Sequence, residues 1–112
     1  MEMIRLSPPV FASGQITPGD LAELAATGFT DVVCHRPDSE HPEGHTSAQI
    51  AQEARLHDLN LHYLPIVLGE PFAEQAAGLA RVASTPASKV LVYCKSGALA
   101  ARAWELGHPS RA

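Results

Sequence analysis

The order of helix and strand signals along the chain constrains its fold more than any other feature of the sequence. Two short apolar segments stand first and are separated by prolines, which confine them to an edge or a turn. Helical and strand patterns then alternate to the end: strands within 4–6, 10–12, 29–34, 59–67 and 90–93, and helices within 18–27, 46–56, 72–82 and 98–106. Such alternation is typical of a parallel sheet covered by helices on both faces. The sequence therefore predicts an α/β fold, with residues 1–112 forming a single three-layer domain around a mostly parallel sheet of four or five strands.

Local signals predict where the helices begin and which face they bury. Thr17 is a suitable N-cap with Pro18 at the first helical position, and Thr46 or Ser47 is expected to cap the next helix. The apolar face predicted for that second helix consists of Ile50, Ala51, Ala54 and Leu56.

Three connections are expected at one edge of the sheet. Cys34, Val67 and Cys94 all lie at the carboxyl ends of predicted strands. Parallel sheets bind ligands beyond the carboxyl ends of their strands. A site is therefore expected where the 35–45 loop, the 68–71 turn and the segment after Cys94 come together.

Cys94 has the surroundings of a reactive cysteine. It follows a buried strand pattern and precedes a small-residue turn, residues 95–97, and then a helix. At such a position, backbone N–H groups and the helix dipole favour a thiolate, and the same N–H groups can bind a tetrahedral anion. This pattern indicates cysteine-dependent phosphate-ester chemistry or rhodanese-type sulfur transfer; the alternative is a structural cysteine that ends a strand.

Composition restricts the partners. Among 112 residues, 46% are hydrophobic, and the net charge is −4, which disfavours nucleic acid and anionic membrane surfaces. The first residues contain no long apolar run, so a cytoplasmic protein with thiol cysteines is expected. A small anionic substrate is the expected partner, no cofactor is expected, and the oligomeric state is left open.

Four segments together resemble a known family. They are Ser13-Gly14-Gln15, Arg36-Pro37-Asp38, Tyr63-Leu64-Pro65-Ile66-Val67 and Tyr93-Cys94-Lys95-Ser96-Gly97. In this order they resemble the phosphatase-like domain of the beta-lactamase-hydrolase-like proteins, small relatives of the dual-specificity phosphatases. The resemblance implies a cysteine-phosphatase fold, and either hydrolysis of phosphate monoesters or transfer of sulfane sulfur.

The resemblance also implies roles for individual residues. Cys94 matches the nucleophile, and Arg36 matches an arginine of the neighbouring loop that Asp38 could orient. The anion-binding positions correspond to Lys95, Ser96, Gly97, Ala98, Leu99 and Ala100.

Two positions depart from the family pattern. Related loops close with an arginine five or six positions after the cysteine, where this chain has Leu99 and Ala100. Arg102, about one helical turn further on, is the nearest arginine that could substitute, and Lys95 or Arg36 could supply a point charge. The expected outcome is a weak phosphatase, a sulfurtransferase carrying a persulfide on Cys94, or a catalytically degenerate module that binds an anion or a partner.

The general acid is also non-standard. Related enzymes use an aspartate in the loop after the preceding strand, and Glu70 is the one acid in the corresponding segment, 68–71. Glu70 is therefore the candidate, with a first-turn acid of the following helix as its alternative role.

Two further groups invite a functional interpretation. Cys34 could form a disulfide with Cys94 if the strands that carry the two cysteines are neighbours, and the resemblance also suggests this pairing. The alternative is that Cys34 is a small buried hydrophobic residue. The histidines include His35, His41 and His45 in one loop, but their spacing lacks the pattern of a zinc element, and no metal is expected.

Overall fold

A five-stranded sheet runs through the centre of the molecule in the order β1-β2-β5-β3-β4. The strands are β1 (Ile4–Ser7), β2 (Val10–Ser13), β3 (Asp31–Cys34), β4 (Asn60–Tyr63) and β5 (Val90–Tyr93). β1 pairs antiparallel with β2, whereas β2, β5, β3 and β4 are mutually parallel. The computed structural model describes residues 2–7, 9–40 and 45–107. The predicted mostly parallel sheet is confirmed.

The helices cover both faces of this sheet. They are α1 (Asp20–Ala26), α2 (Ser47–Leu56), α3 (Ala73–Ala83) and α4 (Ala98–Gly107), and a short 3₁₀ turn spans Asp38–Glu40. Side chains of α1 and α2 share one core cluster, and those of α3 and α4 share a second. The molecule therefore has three layers, as the alternating pattern predicts.

The central strand β5 shows how the two clusters are separated. Val90 and Val92 belong to the α3/α4 cluster, whereas Leu91 and Tyr93 belong to the α1/α2 cluster. Successive side chains of a strand point to opposite faces, so a strand covered on both sides must be apolar at every position. This requirement explains the uninterrupted apolar pattern before Cys94.

The predicted helix ends are partly correct. Thr46 caps α2 through a capping box with Gln49, as expected. The start of α1 was placed too early, because its N-cap is Gly19 and its first residue is Asp20. The Asp20 carboxylate accepts the Thr17 backbone N–H at 2.9 Å, so residues 17–19 form a turn before the helix rather than its first turn.

The expectation that Leu56 is buried was wrong. Its exposed fraction is 73%, whereas Ile50 and Ala54 are fully buried. Leu56 follows Ile50 by six positions and therefore lies about 120° round the helix from it, outside the stripe that faces the sheet.

No helix in ranges 2–7, 9–40 and 45–107 combines the length and the apolar character that crossing a membrane requires.

Candidate active site

A cavity of about 160 Å³ opens at the carboxyl ends of β3 and β5. This is the edge of the sheet at which the parallel topology predicts a ligand site. We call it the Cys94 cavity, and its lining consists of His35, Arg36, Pro37, Glu40, Ile66, Leu68, Cys94, Lys95, Ser96 and Leu99.

Cys94 lies between the end of β5 and the start of α4. Only 3% of the residue is exposed, and its Sγ accepts the backbone N–H of Gly97 at 3.0 Å. A hydrogen bond donated to sulfur stabilises the thiolate relative to the thiol. The position at the start of α4 adds the positive end of the helix dipole. The residue predicted to be the nucleophile therefore lies at a helix N-terminus with a backbone N–H directed at its sulfur.

The Cys94 loop, residues 94–97, is held by backbone contacts with the end of β2. Gly97 adopts a φ of +91°, and a Cβ built there would lie 3.2 Å from the carbonyl carbon of Ser13. A Cβ at Gly14 would lie 3.0 Å from the backbone oxygen of Lys95. The Cys94 N–H donates to the Ser13 carbonyl at 3.3 Å. Glycine is thus required at two positions, because the two chain segments approach each other too closely for a side chain.

Arg36 forms part of the cavity wall and is held from two sides. Its Nη1 donates to the Gln15 side-chain oxygen at 3.0 Å, and its Nη2 donates to the Glu40 carbonyl at 3.1 Å. The Glu40 carboxylate lies 3.7 Å from Nε. With 13% of its side chain exposed, Arg36 presents a positive charge whose position is fixed by these contacts.

The Asp38 carboxylate is bound to the first residue of α2. One of its carboxylate oxygens accepts the backbone N–H of Ser47 at 2.7 Å, and the other accepts the Ser47 hydroxyl at 2.9 Å. Asp38 therefore fastens the loop to the start of α2, and its predicted role in orienting Arg36 stays a prediction.

The positions that follow the Cys94 loop divide between cavity, core and surface. Leu99 lines the cavity, whereas Ala100 is fully buried in the α3/α4 cluster. Arg102 is exposed, with its guanidinium 5.8 Å from the centre of the Phe72 ring, and it is not among the lining residues. The positively charged side chains that line the cavity are those of Arg36 and Lys95.

The carboxylate that lines the cavity is Glu40, a residue that the sequence did not single out. Glu70, the predicted general acid, is exposed in the turn after β4, and its backbone N–H donates to the Val67 carbonyl at 3.0 Å. The residue of that turn that lines the cavity is Leu68. The one available signal for Glu40 was its position four residues after Arg36.

His35 is the second residue that the sequence did not assign to the site. It is fully buried, and its Nδ1 lies 2.6 Å from the Leu64 carbonyl oxygen. Because a carbonyl only accepts, Nδ1 carries the proton. Burial lowers the pKa of His35 below its usual value, which favours the neutral ring. Its Nε2 is buried and has no hydrogen-bond partner within the described part of the chain.

Cys34 is a free thiol in the other half of the core. It is 2% exposed, donates to the Arg36 carbonyl at 3.4 Å and lies beside the Tyr93 hydroxyl. Burial raises the pKa of Cys34. Both cysteines are free, and they belong to different core clusters, so their pairing stays a prediction.

Two histidines outside the cavity, His57 and His62, have carboxylate partners. His57 pairs with Glu53 at 3.2 Å, and His62 pairs with Asp31 at 2.9 Å. No three His, Cys, Asp or Glu side chains within residues 2–7, 9–40 and 45–107 gather as a metal site would. His41 lies outside those ranges.

The three-layer fold, with a buried cysteine between a central strand and a helix N-terminus, defines a protein of the cysteine-phosphatase fold class. The family model described as "Beta-lactamase hydrolase-like protein, phosphatase-like domain" matches residues 3–110, and the chain belongs to this family.

Relatives and solved structures agree with this assignment. The beta-lactamase hydrolase-like protein of Xylella fastidiosa is 27% identical over 99 residues, which cover 87% of this chain and 22% of that protein. The chain thus spans less than a quarter of that relative. A candidate phosphatase from Neisseria meningitidis superposes with a TM-score of 0.81 at 24% identity, covering 93% of this chain and 74% of the other.

More distant structures share the fold alone. Kinase associated phosphatase superposes with a TM-score of 0.70 at 13% identity, covering 97% of this chain and 75% of the other. The core catalytic domain of a PP-IP phosphatase from S. cerevisiae, solved with citrate, gives 0.66 at 11% identity, covering 98% and 78%.

Proposed function

We propose that this chain hydrolyses phosphate monoesters with Cys94 as its nucleophile. The thiolate attacks phosphorus, an S–P bond forms, and the P–O bond to the leaving group breaks. Water then attacks the phosphorus, the S–P bond breaks, and phosphate and the thiolate are released. The observation that carries the proposal is the 3.0 Å hydrogen bond from the Gly97 N–H to Cys94 Sγ inside a cavity.

Groups around the cavity support the binding of an anion. The backbone of residues 95–98 lies at the start of α4, where negative charge is favoured; within it the Gly97 N–H donates to Cys94 Sγ and the Ala98 N–H donates to Ser96 Oγ at 3.4 Å. Arg36 and Lys95 add positive charge.

The same wall explains why we expect slow turnover. Leu99 stands where related loops have an arginine, and removing a group that stabilises transition-state charge typically costs a factor of about 10² or more. Ile66, Leu68 and Leu99 make much of the wall apolar, which suits an aryl ester. An aryl leaving group also needs little protonation, whether Glu40 or the predicted acid Glu70 supplies the proton.

Sulfur transfer is the second candidate, and the position of Glu70 outside the lining favours it. In that reaction Cys94 takes the outer sulfur of a persulfide or thiosulfate, the donor leaves as a thiolate or sulfite, and an acceptor thiolate then removes the sulfur from the Cys94 persulfide. No general acid is required. A module that binds an anion without turnover is the remaining alternative.

Hydrolysis of p-nitrophenyl phosphate tests the proposal. We expect slow release of p-nitrophenol that Cys94→Ser abolishes and Cys34→Ala preserves. Incubation with thiosulfate followed by mass spectrometry is the parallel measurement. Addition of one sulfur atom to Cys94, without ester hydrolysis, would replace the phosphatase proposal with sulfur transfer.

Leu99→Arg sharpens the test of the cavity wall. A guanidinium at this position should raise kcat/KM for the aryl ester by about 10-fold or more. Leu106→Arg, on the exposed side of α4, is the matched control and should leave the rate unchanged. An equal effect of the two substitutions would show that long-range charge, and not contact with the anion, is responsible.

A further inference from the structure

We propose that Glu40 is the general acid of the phosphatase reaction and donates the proton that the leaving group takes up. The inference rests on the proposed function, because it concerns the same site. It moves the acid from the turn after β4, where the sequence pattern places it at Glu70, to the segment that follows β3.

The direction in which the leaving group must point restricts where its acid can lie. In phosphoryl transfer the attacking and leaving atoms lie roughly in line on opposite sides of phosphorus. Cys94 is 3% exposed, so an ester that its sulfur attacks must direct the leaving group away from the interior, towards the opening of the cavity. The lining residues that are exposed, and therefore border this opening, are Glu40, Leu68, Lys95 and Ser96.

Glu40 is the residue on this border whose chemistry suits a general acid. A protonated carboxyl group donates one O–H, and carboxyl groups serve widely as general acids. Leu68 is apolar, and the Ser96 hydroxyl oxygen accepts the Ala98 N–H at 3.4 Å. A lysine ammonium such as that of Lys95 holds its proton far more tightly than a carboxylic acid does.

The Glu40 carboxylate lies near Arg36 but is not needed to hold it. Oε1 is 3.7 Å from the Arg36 Nε, which is longer than a hydrogen bond. The guanidinium is held by the Gln15 side-chain oxygen at 3.0 Å and by the backbone carbonyl of Glu40 at 3.1 Å. The carboxyl group can therefore take part in proton transfer while Arg36 keeps its position.

An ester bound at Arg36 lies within reach of this carboxyl group. A phosphate oxygen that accepts from the guanidinium would lie about 2.8 Å from one of its nitrogens, so it and the Glu40 carboxylate would flank the same group. With 37% of its side chain exposed, Glu40 has room to turn towards the ester. Catalytic hydrogen bonds that are long without substrate commonly shorten when substrate binds.

Glu70 lacks this placement. It is exposed in the turn after β4 but is not among the lining residues, and Leu68 represents that turn in the cavity wall. The two glutamates thus share residue type and exposure and differ in position. Glu70 is therefore the matched control for Glu40.

The proposed proton transfer is balanced over the two halves of the reaction. As Cys94 Sγ forms the S–P bond, the P–O bond to the leaving group breaks and the Glu40 proton passes to the leaving oxygen, which departs as a neutral alcohol or phenol. The Glu40 carboxylate then takes a proton from the water that attacks phosphorus. The S–P bond breaks, and phosphate and the Cys94 thiolate are released.

The test compares two aryl esters that differ in their need for a proton. p-Nitrophenolate leaves readily as an anion, whereas phenol resembles the tyrosine side chain, with a pKa of about 10, and leaves better with a proton. Phosphate released by the full chain gives kcat/KM for each ester. Glu40→Gln should lower kcat/KM by about 10²-fold for phenyl phosphate and by at most about 3-fold for p-nitrophenyl phosphate. Glu70→Gln should change neither value.

Anion binding is measured separately, in chains that carry Cys34→Ala. Phosphate should protect Cys94 from iodoacetamide in Glu40→Gln at the same or a lower concentration than without that substitution, because a negative charge has left the cavity. A higher protecting concentration would mean that Glu40 acts by positioning Arg36, which would overturn the inference.

The remaining outcomes separate the inference from the proposed function. Equal losses for the two esters in Glu40→Gln, or no loss, would overturn the role of Glu40 as an acid. A loss confined to phenyl phosphate in Glu70→Gln would assign the acid to Glu70 instead. Hydrolysis of p-nitrophenyl phosphate alone by the unsubstituted chain would show that no general acid acts, and would leave the phosphatase proposal intact. Hydrolysis of neither ester would remove both.

Discussion

Two cysteines occur at the ends of neighbouring strands of one sheet, are almost equally buried, and have opposite hydrogen bonding. Cys34 ends β3 and is 2% exposed, and Cys94 follows β5 and is 3% exposed. The Cys34 thiol donates to the carbonyl of Arg36 at 3.4 Å. The Cys94 sulfur accepts the N–H of Gly97 at 3.0 Å.

The comparison teaches that burial alone does not determine cysteine reactivity. Burial raises the pKa of the Cys34 thiol and outweighs the hydrogen bonds around it, which act in the opposite direction. Cys94, by contrast, accepts a backbone N–H and lies at the start of α4, on the wall of the cavity. The direction of one hydrogen bond therefore separates a structural thiol from a candidate nucleophile.

The largest expected difference is in alkylation. In the folded protein at slightly alkaline pH, iodoacetamide should modify Cys94 about 10² times faster than Cys34, because only the thiolate reacts. Single-cysteine variants, Cys34→Ala and Cys94→Ala, report each rate separately by mass spectrometry. Both thiols should react alike in urea, which is the control for intrinsic differences. Equal alkylation rates of the two cysteines in the folded state would show that their surroundings do not determine their reactivity.

The next effect concerns the donor of the Cys94 hydrogen bond. Gly97→Ala should destabilise the fold by about 2 kcal/mol and slow the alkylation of Cys94, since the new Cβ meets the Ser13 backbone at a φ of +91°. Gly28→Ala is the matched substitution, because Gly28 has a φ of +92° and open space around its Cβ position. It should cost about 1 kcal/mol and leave alkylation unchanged. Urea denaturation measures the free energy of unfolding, and alkylation measures the reactivity of Cys94. An equal loss of stability and of alkylation rate in the two variants would show that contact with Ser13 is unimportant.

The smallest effect is a pH dependence of stability due to Cys34. The unfolded chain loses this proton with a pKa of about 9, whereas the folded chain retains it because its pKa is raised. Above that pH the folded state binds more protons, so the free energy of unfolding should fall as pH rises, by up to about 1 kcal/mol between about pH 8 and about pH 9.5. Cys34→Ala should reduce this slope, whereas Val33→Ala, which also removes buried volume from β3, should preserve it. A slope unchanged by Cys34→Ala would contradict the assignment.

The fold and the position of Cys94 at the cavity could be predicted from the sequence because they depend on local patterns. Apolar strands alternating with helices predict the parallel sheet, and a cysteine between a strand and a helix can lie only at its carboxyl edge. The positions of Glu40 and Glu70 could not be predicted, because which acid faces the cavity depends on loop conformations that several contacts determine together.

For His35, one structural property could be predicted from the sequence and another could not. The side of the sheet to which the His35 side chain belongs could have been predicted, because successive side chains of a strand alternate between the two faces. His35 follows Cys34 directly and therefore lies on the face of Val33, opposite to that of Cys34. The lack of a partner for its Nε2 among the described residues could not be predicted, because the orientation of the ring depends on the Leu64 carbonyl, 29 residues away in the chain. Side-chain direction is thus available from a local pattern, and hydrogen-bond satisfaction is not.

The backbone contacts between the Cys94 loop and the end of β2 have a consequence for protein engineering. The shape of the loop depends on Ser13, Gly14 and Gly97: Ser13 is buried, and a Cβ added at either glycine would crowd the neighbouring backbone. Lys95, Ser96 and Ala98, by contrast, are exposed. A library varied at these three positions should therefore yield mostly folded proteins with different ligand preferences, whereas variation at the other three should yield few.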